Sequence, residues 1–143
     1  MLDSGKTTGN RRWNYYRTEE AFEGVDIVLG AAENEIAKKF APAIVASGAV
    51  FVDNSSAFRL DPKVPLIVPE VNPDDVSWHN GVIANPNCTT IIMSLPLKAL
   101  HDVAPIKRVV VSSYQAASGA GAPAMAELYD QTREFLDGKR GDD

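Results

Sequence analysis

Residues 25–53, VDIVLGAAENEIAKKFAPAIVASGAVFVD, decide the fold. They open with an apolar run, Val25 to Gly30, and close with a second, Ala49 to Asp53, as buried parallel strands do. Between these runs Asn34 to Ser47 predicts a helix, which Gly48 ends. Apolar residues recur along this helix at helical spacing: Ile36, Phe40 and Ile44. Strand, helix and strand with short links form a βαβ unit, so the stretch predicts a parallel pair of strands with a right-handed crossover.

The sequence that follows extends this α/β pattern. Gly81 to Ala84 predicts a third strand, and Thr89 to Val103 predicts a helix that is apolar on nearly every side. Ile106 to Tyr114, rich in valine, predicts a further strand. A tight turn at Ser118 to Gly121 then leads into an amphipathic helix, Ala124 to Leu136.

Two stretches lack such periodicity. Residues 1–20 predict a loop or an edge hairpin. Residues 54–80 hold four prolines, each of which removes a backbone hydrogen-bond donor, so central strands are not expected there.

Composition excludes several classes of function. The formal net charge of -5 argues against a nucleic-acid partner, because phosphate binding needs clustered Lys and Arg. No apolar run approaches the ~20 residues of a membrane span, and residues 1–5 do not resemble a signal peptide. One cysteine and two histidines without ligand spacing predict no metal site. A lone cysteine forms no internal disulfide, so we expect a cytoplasmic protein.

Cys88 is the strongest candidate for chemistry. It follows a predicted strand and an Asn-Pro-Asn turn, within Asn85-Pro86-Asn87-Cys88-Thr89-Thr90, and it opens a helix. The N–H groups and partial positive charge of a helix N-terminus favour a thiolate. The same amides could hold an oxyanion formed when the thiolate attacks an acyl carbon. The alternative is that Cys88 is a small buried apolar residue, as many lone cysteines are.

Four separate segments resemble the aspartate-semialdehyde dehydrogenase family, in the order in which that family has them. They are Phe51 to Arg59 (FVDNSSAFR), Val68 to Asn72 (VPEVN), Ala84 to Thr90 (ANPNCTT) and Tyr114 to Gly121 (YQAASGAG). Glyceraldehyde-phosphate dehydrogenases and N-acetyl-glutamyl-phosphate reductases use related cysteine segments. They would not share the segment from Asn54 to Arg59, which argues against a relative that acts on another acyl phosphate.

This resemblance implies a Rossmann-type parallel sheet domain joined to the start of a mixed α+β catalytic and dimerisation domain. The expected boundaries are 1–85 for a partial NADP-binding domain and 86–143 for a partial catalytic domain. The implied reaction is the NADP-dependent reductive dephosphorylation of L-aspartyl-4-phosphate to L-aspartate-4-semialdehyde, in amino-acid biosynthesis. A homodimer or homotetramer is implied for the intact enzyme.

The resemblance also implies roles for single residues. Cys88 is the nucleophile, and Asn87 and Gln115 lie beside the substrate; Gln115 orients it with a neutral amide. Arg59 matches an arginine that binds phosphate, which its planar fork suits. Ser118 and Gly119 match residues that contact NADP. Without the resemblance, Gln115 reads as a strand-end amide, Arg59 as a surface arginine and the pair 118–119 as a plain turn.

Other parts of the family's machinery are not found in the sequence. No G-x-G-x-x-G turn occurs in the sequence. Residues 31–34, AAEN, also differ from the Ser-Ala-Gly-Gly-like motif that is common in the family. His101 cannot replace the family's distant general base, because 13 helical residues separate it from Cys88 by about 20 Å. Gly5-Lys6-Thr7-Thr8 lacks the first glycine of a P-loop. The alternative function is therefore a truncated, catalytically incompetent fragment, acting at most as a dimerisation or binding module.

Overall fold

The computed structural model describes residues 22–138, so the loop or hairpin expected in residues 1–20 lies outside the described residues. The described residues form two compact units, and the boundary between them lies between Ile106 and Lys107. The strands are β1 (Ile27–Gly30), β2 (Val50–Asp53) and β3 (Val82–Ala84). The helices are α1 (Asn34–Ala46), α2 (Cys88–Val103) and α3 (Ala122–Leu136), with 3-10 helices at Pro73–Trp78 and Ala117–Ala120.

The first unit is built on a parallel sheet with the order β1-β2-β3. Ile27 pairs with Val50 and Phe51 pairs with Val82, so the three strands run in the same direction. An isolated parallel bridge joins Leu66 to Ala84 on the free side of β3. The α/β fold and the parallel βαβ pair are therefore confirmed, while the handedness of the crossover stays a prediction.

Helix α1 covers one face of the sheet with part of the predicted apolar stripe and with two alanines that the prediction did not include. Its buried residues are Ala37, Ala41 and Ile44, whereas Ile36 is 47% exposed. Phe40 is half-buried and meets Phe22 edge-on, with ring centroids 5.9 Å apart. Ala37 and Ala41 belong to the same buried cluster as Phe51, so these small side chains widen the face of the helix that packs in the core.

The ends of the helices agree closely with the sequence pattern. Gly48 has a φ of 86°, which a residue with a side chain rarely adopts, and it follows the last turn of α1 as predicted. Helix α2 begins at Cys88, one residue before the predicted start, and α3 begins at Ala122, two residues before.

The strand expected at Ile106–Tyr114 is wrong. This segment has no regular secondary structure, and no strand pairs with it among residues 22–138. Its valines predict extended backbone, but a strand also needs a neighbour to share backbone hydrogen bonds. Val110 is 79% exposed and Tyr114 is 97% exposed, so the segment lies open to solvent.

The second unit holds a 3-10 helix where a tight turn was expected. Residues 117–120 form this helix, and Gly121 follows with a φ of 91° before α3 begins. Of the helices within residues 22–138, none combines the length and the apolarity needed to cross a membrane. The boundary expected between residues 85 and 86 stays a prediction.

Candidate active site

The carboxyl end of β2 turns sharply because Asp53 anchors the residues that follow it. Asp53 is fully buried, and its carboxylate accepts hydrogen bonds from Ser55 N at 3.2 Å and Ser55 Oγ at 2.6 Å. Ser55 Oγ in turn accepts from Ala57 N at 3.1 Å. Asn34, the first residue of α1, accepts from Ser56 N at 3.0 Å through its side-chain oxygen. The turn is therefore fixed both to its own strand and to α1.

Arg59 closes this turn over the ends of two strands. Its Nε donates to the carbonyl of Asn85 at 2.9 Å, and its Nη2 donates to the carbonyl of Asn54 at 2.9 Å. Asn54 directly follows β2 and Asn85 directly follows β3. Arg59 is thus held at the edge of the sheet from which the chain leads into Cys88, so these two candidates share one edge of the fold.

Cys88 is the first residue of α2 and is an exposed free cysteine, so it is not the buried apolar residue of the alternative interpretation. Asn87 caps this helix: its Oδ1 accepts from Thr89 N at 2.9 Å and from Thr90 N at 3.4 Å. The N–H groups of Thr89 and Thr90, which could otherwise bind an oxyanion, are therefore engaged by Asn87. Within the described residues, only the Cys88 N–H of this first turn has no acceptor.

Both histidines of the chain make structural hydrogen bonds. His101 lies in the last turn of α2, and its Nδ1 accepts from Ile106 N at 3.1 Å. His79 Nδ1 accepts from Gly81 N at 3.0 Å. His101 lies on the same helix as Cys88, 13 residues away, as expected from the sequence. Residues 22–138 also contain no group of three or more His, Cys, Asp or Glu side chains that could hold a metal ion.

The remaining candidates, Gln115, Ser118 and Gly119, lie in the second unit. The Gln115 side chain rests against Gly119, where a Cβ would come within 2.7 Å of the Gln115 Cγ, Cδ and Nε2 atoms. Gly119 does not have a positive φ, so the glycine is needed here for space and not for backbone conformation. This contact links two residues that the sequence assigned to different ligands.

The described residues fit a dinucleotide only in part. No side chain caps α1, and the N–H groups of its first turn could meet an anion, since they have no acceptor within residues 22–138. Glu33 and Glu35 stand at this same end, and their carboxylates would repel a pyrophosphate. This helix terminus is therefore a poor pyrophosphate site.

Asn54 and Asn85 were missed as site residues by the sequence interpretation. Asp53 pairs with Ala84 in the parallel register, so the next residue along each strand is an asparagine. Two polar amides at equivalent positions after adjacent parallel strands are a signal that could have been found once the strands were paired.

Family models match most of this chain. The model described as semialdehyde dehydrogenase, NAD binding domain, matches residues 5–79, and the model for the dimerisation domain matches residues 97–142. The aspartate-semialdehyde dehydrogenase of Synechocystis sp. is 56% identical over 119 residues, which are 83% of this chain and 35% of that protein. The enzyme of Aquifex aeolicus is 54% identical over 123 residues, 85% of this chain and 36% of its own length.

Solved structures agree with this assignment. Aspartate semialdehyde dehydrogenase II from Vibrio cholerae, complexed with ASA, superposes with a TM-score of 0.71 at 40% identity, covering 85% of this chain and 37% of that one. The enzyme from Candida albicans with NADP gives 0.50 at 28% identity, covering 57% and 27%. The chain spans about a third of the length of the relatives that it matches. It belongs to the semialdehyde dehydrogenase family, with that family's NAD-binding domain on a parallel α/β sheet.

Proposed function

We propose that this chain acts as part of an NADP-dependent aspartate-semialdehyde dehydrogenase. This enzyme converts L-aspartyl-4-phosphate into L-aspartate-4-semialdehyde through a cysteine thioester. The product would feed the biosynthesis of lysine, threonine, methionine, isoleucine and diaminopimelate. The observation that carries the proposal is the exposed Cys88 at the start of α2, on the same sheet edge as Arg59. The 50–56% identity to four aspartate-semialdehyde dehydrogenases supports this substrate.

The proposed chemistry at Cys88 is acyl transfer. The thiolate sulfur attacks the acyl carbon of aspartyl phosphate, the bond from that carbon to the phosphate oxygen breaks, and inorganic phosphate leaves. The Cys88 N–H is available to the oxyanion that forms during the attack. In the following step the acyl carbon of the thioester takes up a hydride, which NADPH would supply when bound. The bond from that carbon to the Cys88 sulfur then breaks, so the aldehyde leaves and the sulfur regains its electron pair.

Arg59 is the proposed phosphate ligand. Neutral carbonyl groups hold its guanidinium on one side, and the ion pairs recorded among residues 22–138 do not include it. Its positive charge is therefore not neutralised by a nearby carboxylate. A cation with a planar fork of donors and no counterion suits a phosphate dianion.

Gln115 and Asn87 are the proposed substrate contacts. Gln115 offers a neutral amide that can orient a carbonyl or an amine without a change of charge. Asn87 uses its side-chain oxygen to cap α2, and its Nδ2 group remains as the donor for the substrate. Ser118 and Gly119 are proposed to contact NADP, whose reduced form, NADPH, would supply a hydride when it is bound. The NAD-binding family model supports a nicotinamide cofactor, and the Candida albicans structure with NADP supports the choice of NADP.

We further propose that the working enzyme is a homodimer or homotetramer in the cytoplasm. The match of residues 97–142 to a dimerisation domain supports the assembly. A single free and exposed thiol that must remain reduced supports the compartment.

Acylation of Cys88 tests this function directly. The purified chain is mixed with L-aspartyl phosphate, and intact mass and peptide mapping are recorded before and after hydroxylamine. We expect one hydroxylamine-sensitive aspartyl group on Cys88, released phosphate in equal amount, and no label on a Cys88→Ser variant. Labelling that is equal with acetyl phosphate would argue for another acyl phosphate as the substrate. Absence of any label would leave the chain as an incompetent dimerisation or binding module.

A further inference from the structure

The ends of β2 and β3 are joined by a hydrogen bond between two asparagine side chains. Asn85 Nδ2 donates to Asn54 Oδ1 at 2.7 Å. The two residues directly follow the paired residues Asp53 and Ala84, so they occupy equivalent positions after adjacent strands. The backbone continues the same connection, since Asn85 N donates to Asp53 O at 2.8 Å.

The same two asparagines hold Arg59 through their backbone. The carbonyl of Asn85 accepts from Nε and the carbonyl of Asn54 accepts from Nη2, both at 2.9 Å. These two acceptors belong to different strands, so their separation depends on how the strand ends are spaced. The side-chain bond between the asparagines spans the same gap and so fixes that spacing.

The guanidinium retains donors after these contacts. Arginine has five N–H donors, and two of them are used, which leaves three. Arg59 is half-buried, so its side chain has limited freedom to turn toward another acceptor. Held in this way, the guanidinium keeps three free donors, and no ion pair among residues 22–138 compensates its charge.

We propose that Asn54 and Asn85 are positioning residues that hold the Arg59 guanidinium for an oxyanion of the phosphate class. The inference rests on the proposed phosphate-binding role of Arg59 and adds the two residues, Asn54 and Asn85, that fix the position of its side chain. Asn85 is the donor of their side-chain hydrogen bond and Asn54 is the acceptor. The same substitution, Asn to Asp, should therefore preserve the bond at position 54 and break it at position 85.

The test uses that inequality in the full chain. Asn54→Asp keeps an acceptor for Asn85 Nδ2, whereas Asn85→Asp removes the donor and sets oxygen against oxygen; both variants change the charge by the same amount. Proton exchange of the Arg59 Nε–H is measured by NMR, with Arg59→Lys assigning the signal. Binding of inorganic phosphate is measured by titration, and urea midpoints report on folding.

We expect slow Nε–H exchange in the parent chain and in Asn54→Asp. In Asn85→Asp we expect exchange to be faster by about fivefold or more, with phosphate affinity lower than in Asn54→Asp by a similar factor, as for the loss of one hydrogen bond. The neutral variant Asn54→Ala should exchange like Asn85→Asp, which keeps the test usable if Asn85→Asp does not fold.

Equal exchange in the two Asp variants, or rapid exchange in the parent chain, would overturn the positioning role. Another outcome would contradict the proposed phosphate-binding role of Arg59 and not its positioning by the asparagines. If the parent chain binds no phosphate while the Nε–H exchange still follows the predicted order, the asparagines position Arg59 but Arg59 is not the phosphate ligand.

Discussion

At the scale of single residues, reactivity follows from local hydrogen bonds. Cys88 is exposed at the first position of α2, where the partial positive charge of the helix N-terminus can stabilise negative charge on the sulfur during an attack. We expect iodoacetamide to alkylate Cys88 at pH 7 several-fold faster than it alkylates free cysteine. The same chain unfolded in urea is the control, since unfolding removes the helix. Equal rates in folded and unfolded chain would contradict this prediction.

Two nearby glycines give a second prediction because they are needed for different reasons. An added Cβ at Gly119 meets the flexible side chain of Gln115, so Gly119→Ala should displace Gln115 and leave the free energy of unfolding nearly unchanged. Gly121 has a φ of 91° and a ψ of -177°, a region open essentially to glycine alone. Gly121→Ala should therefore cost about 1–3 kcal/mol.

NMR of the Gln115 side-chain amide and urea unfolding of both variants separate these two effects. A Gln115 amide signal that stays in place in Gly119→Ala would show that the side chain does not rest on this glycine.

At the scale of elements, the start of α2 depends on one side chain. Asn87 Oδ1 accepts two N–H groups of the first helical turn. Asn87→Ala should lower the free energy of unfolding by ~1 kcal/mol, whereas Asn87→Asp keeps the capping oxygen and should nearly match the parent. Urea unfolding monitored by circular dichroism measures both. Similar losses in the two variants would mean that Asn87 stabilises the chain in another way.

The sequence predicted these elements where local rules suffice and failed where distant neighbours decide. The three strands of the first unit follow from short apolar runs, and Gly48 follows from the preference for glycine after a helix. The pattern at Ile106–Tyr114 has the same composition as a strand, but pairing depends on a partner that local sequence does not reveal. The apolar spacing of α1 correctly indicated Phe40 and Ile44, which pack in the core, but it did not indicate the buried Ala37 and Ala41.

The candidate site was predictable to a similar degree. Cys88 and Arg59 were predicted as site residues because their segments are distinctive, and their common edge follows from the parallel order of β2 and β3. The hydrogen bond between the Asn54 and Asn85 side chains could not be predicted without the strand register, because the two residues are 31 positions apart.

At the scale of the whole molecule, large apolar surfaces remain open in the described residues. Leu29 on the sheet is 74% exposed, and Ile92 on α2 is 75% exposed. Residues of α3 line an open, mostly apolar surface pocket of about 520 Å³: Met125, Leu128, Tyr129, Thr132, Arg133 and Leu136. Surfaces of this kind favour contact with further protein, and the apolar surface of α3 lies within residues 97–142, which match the dimerisation family model.

We expect the proton-transfer groups of this 143-residue chain to limit any turnover that it carries out. Both of its histidines accept hydrogen bonds from backbone N–H groups, and His101 lies at the opposite end of α2 from Cys88. Loss of a positioned general base alone costs roughly 10²–10⁴-fold in rate. We therefore expect NADPH-dependent reduction of aspartyl phosphate at least 10²-fold slower than that of the Synechocystis relative under identical conditions, even if Cys88 is acylated.

Comparison of acylation with turnover on one preparation checks this expectation. A Cys88→Ser variant sets the background for NADPH oxidation, and the aspartyl mass gain on the parent chain reports the first step. Acylation without turnover would locate the deficit after thioester formation, where cofactor and proton transfer act. A rate within tenfold of the relative would overturn the prediction, and would require that another group of this chain performs the proton transfer.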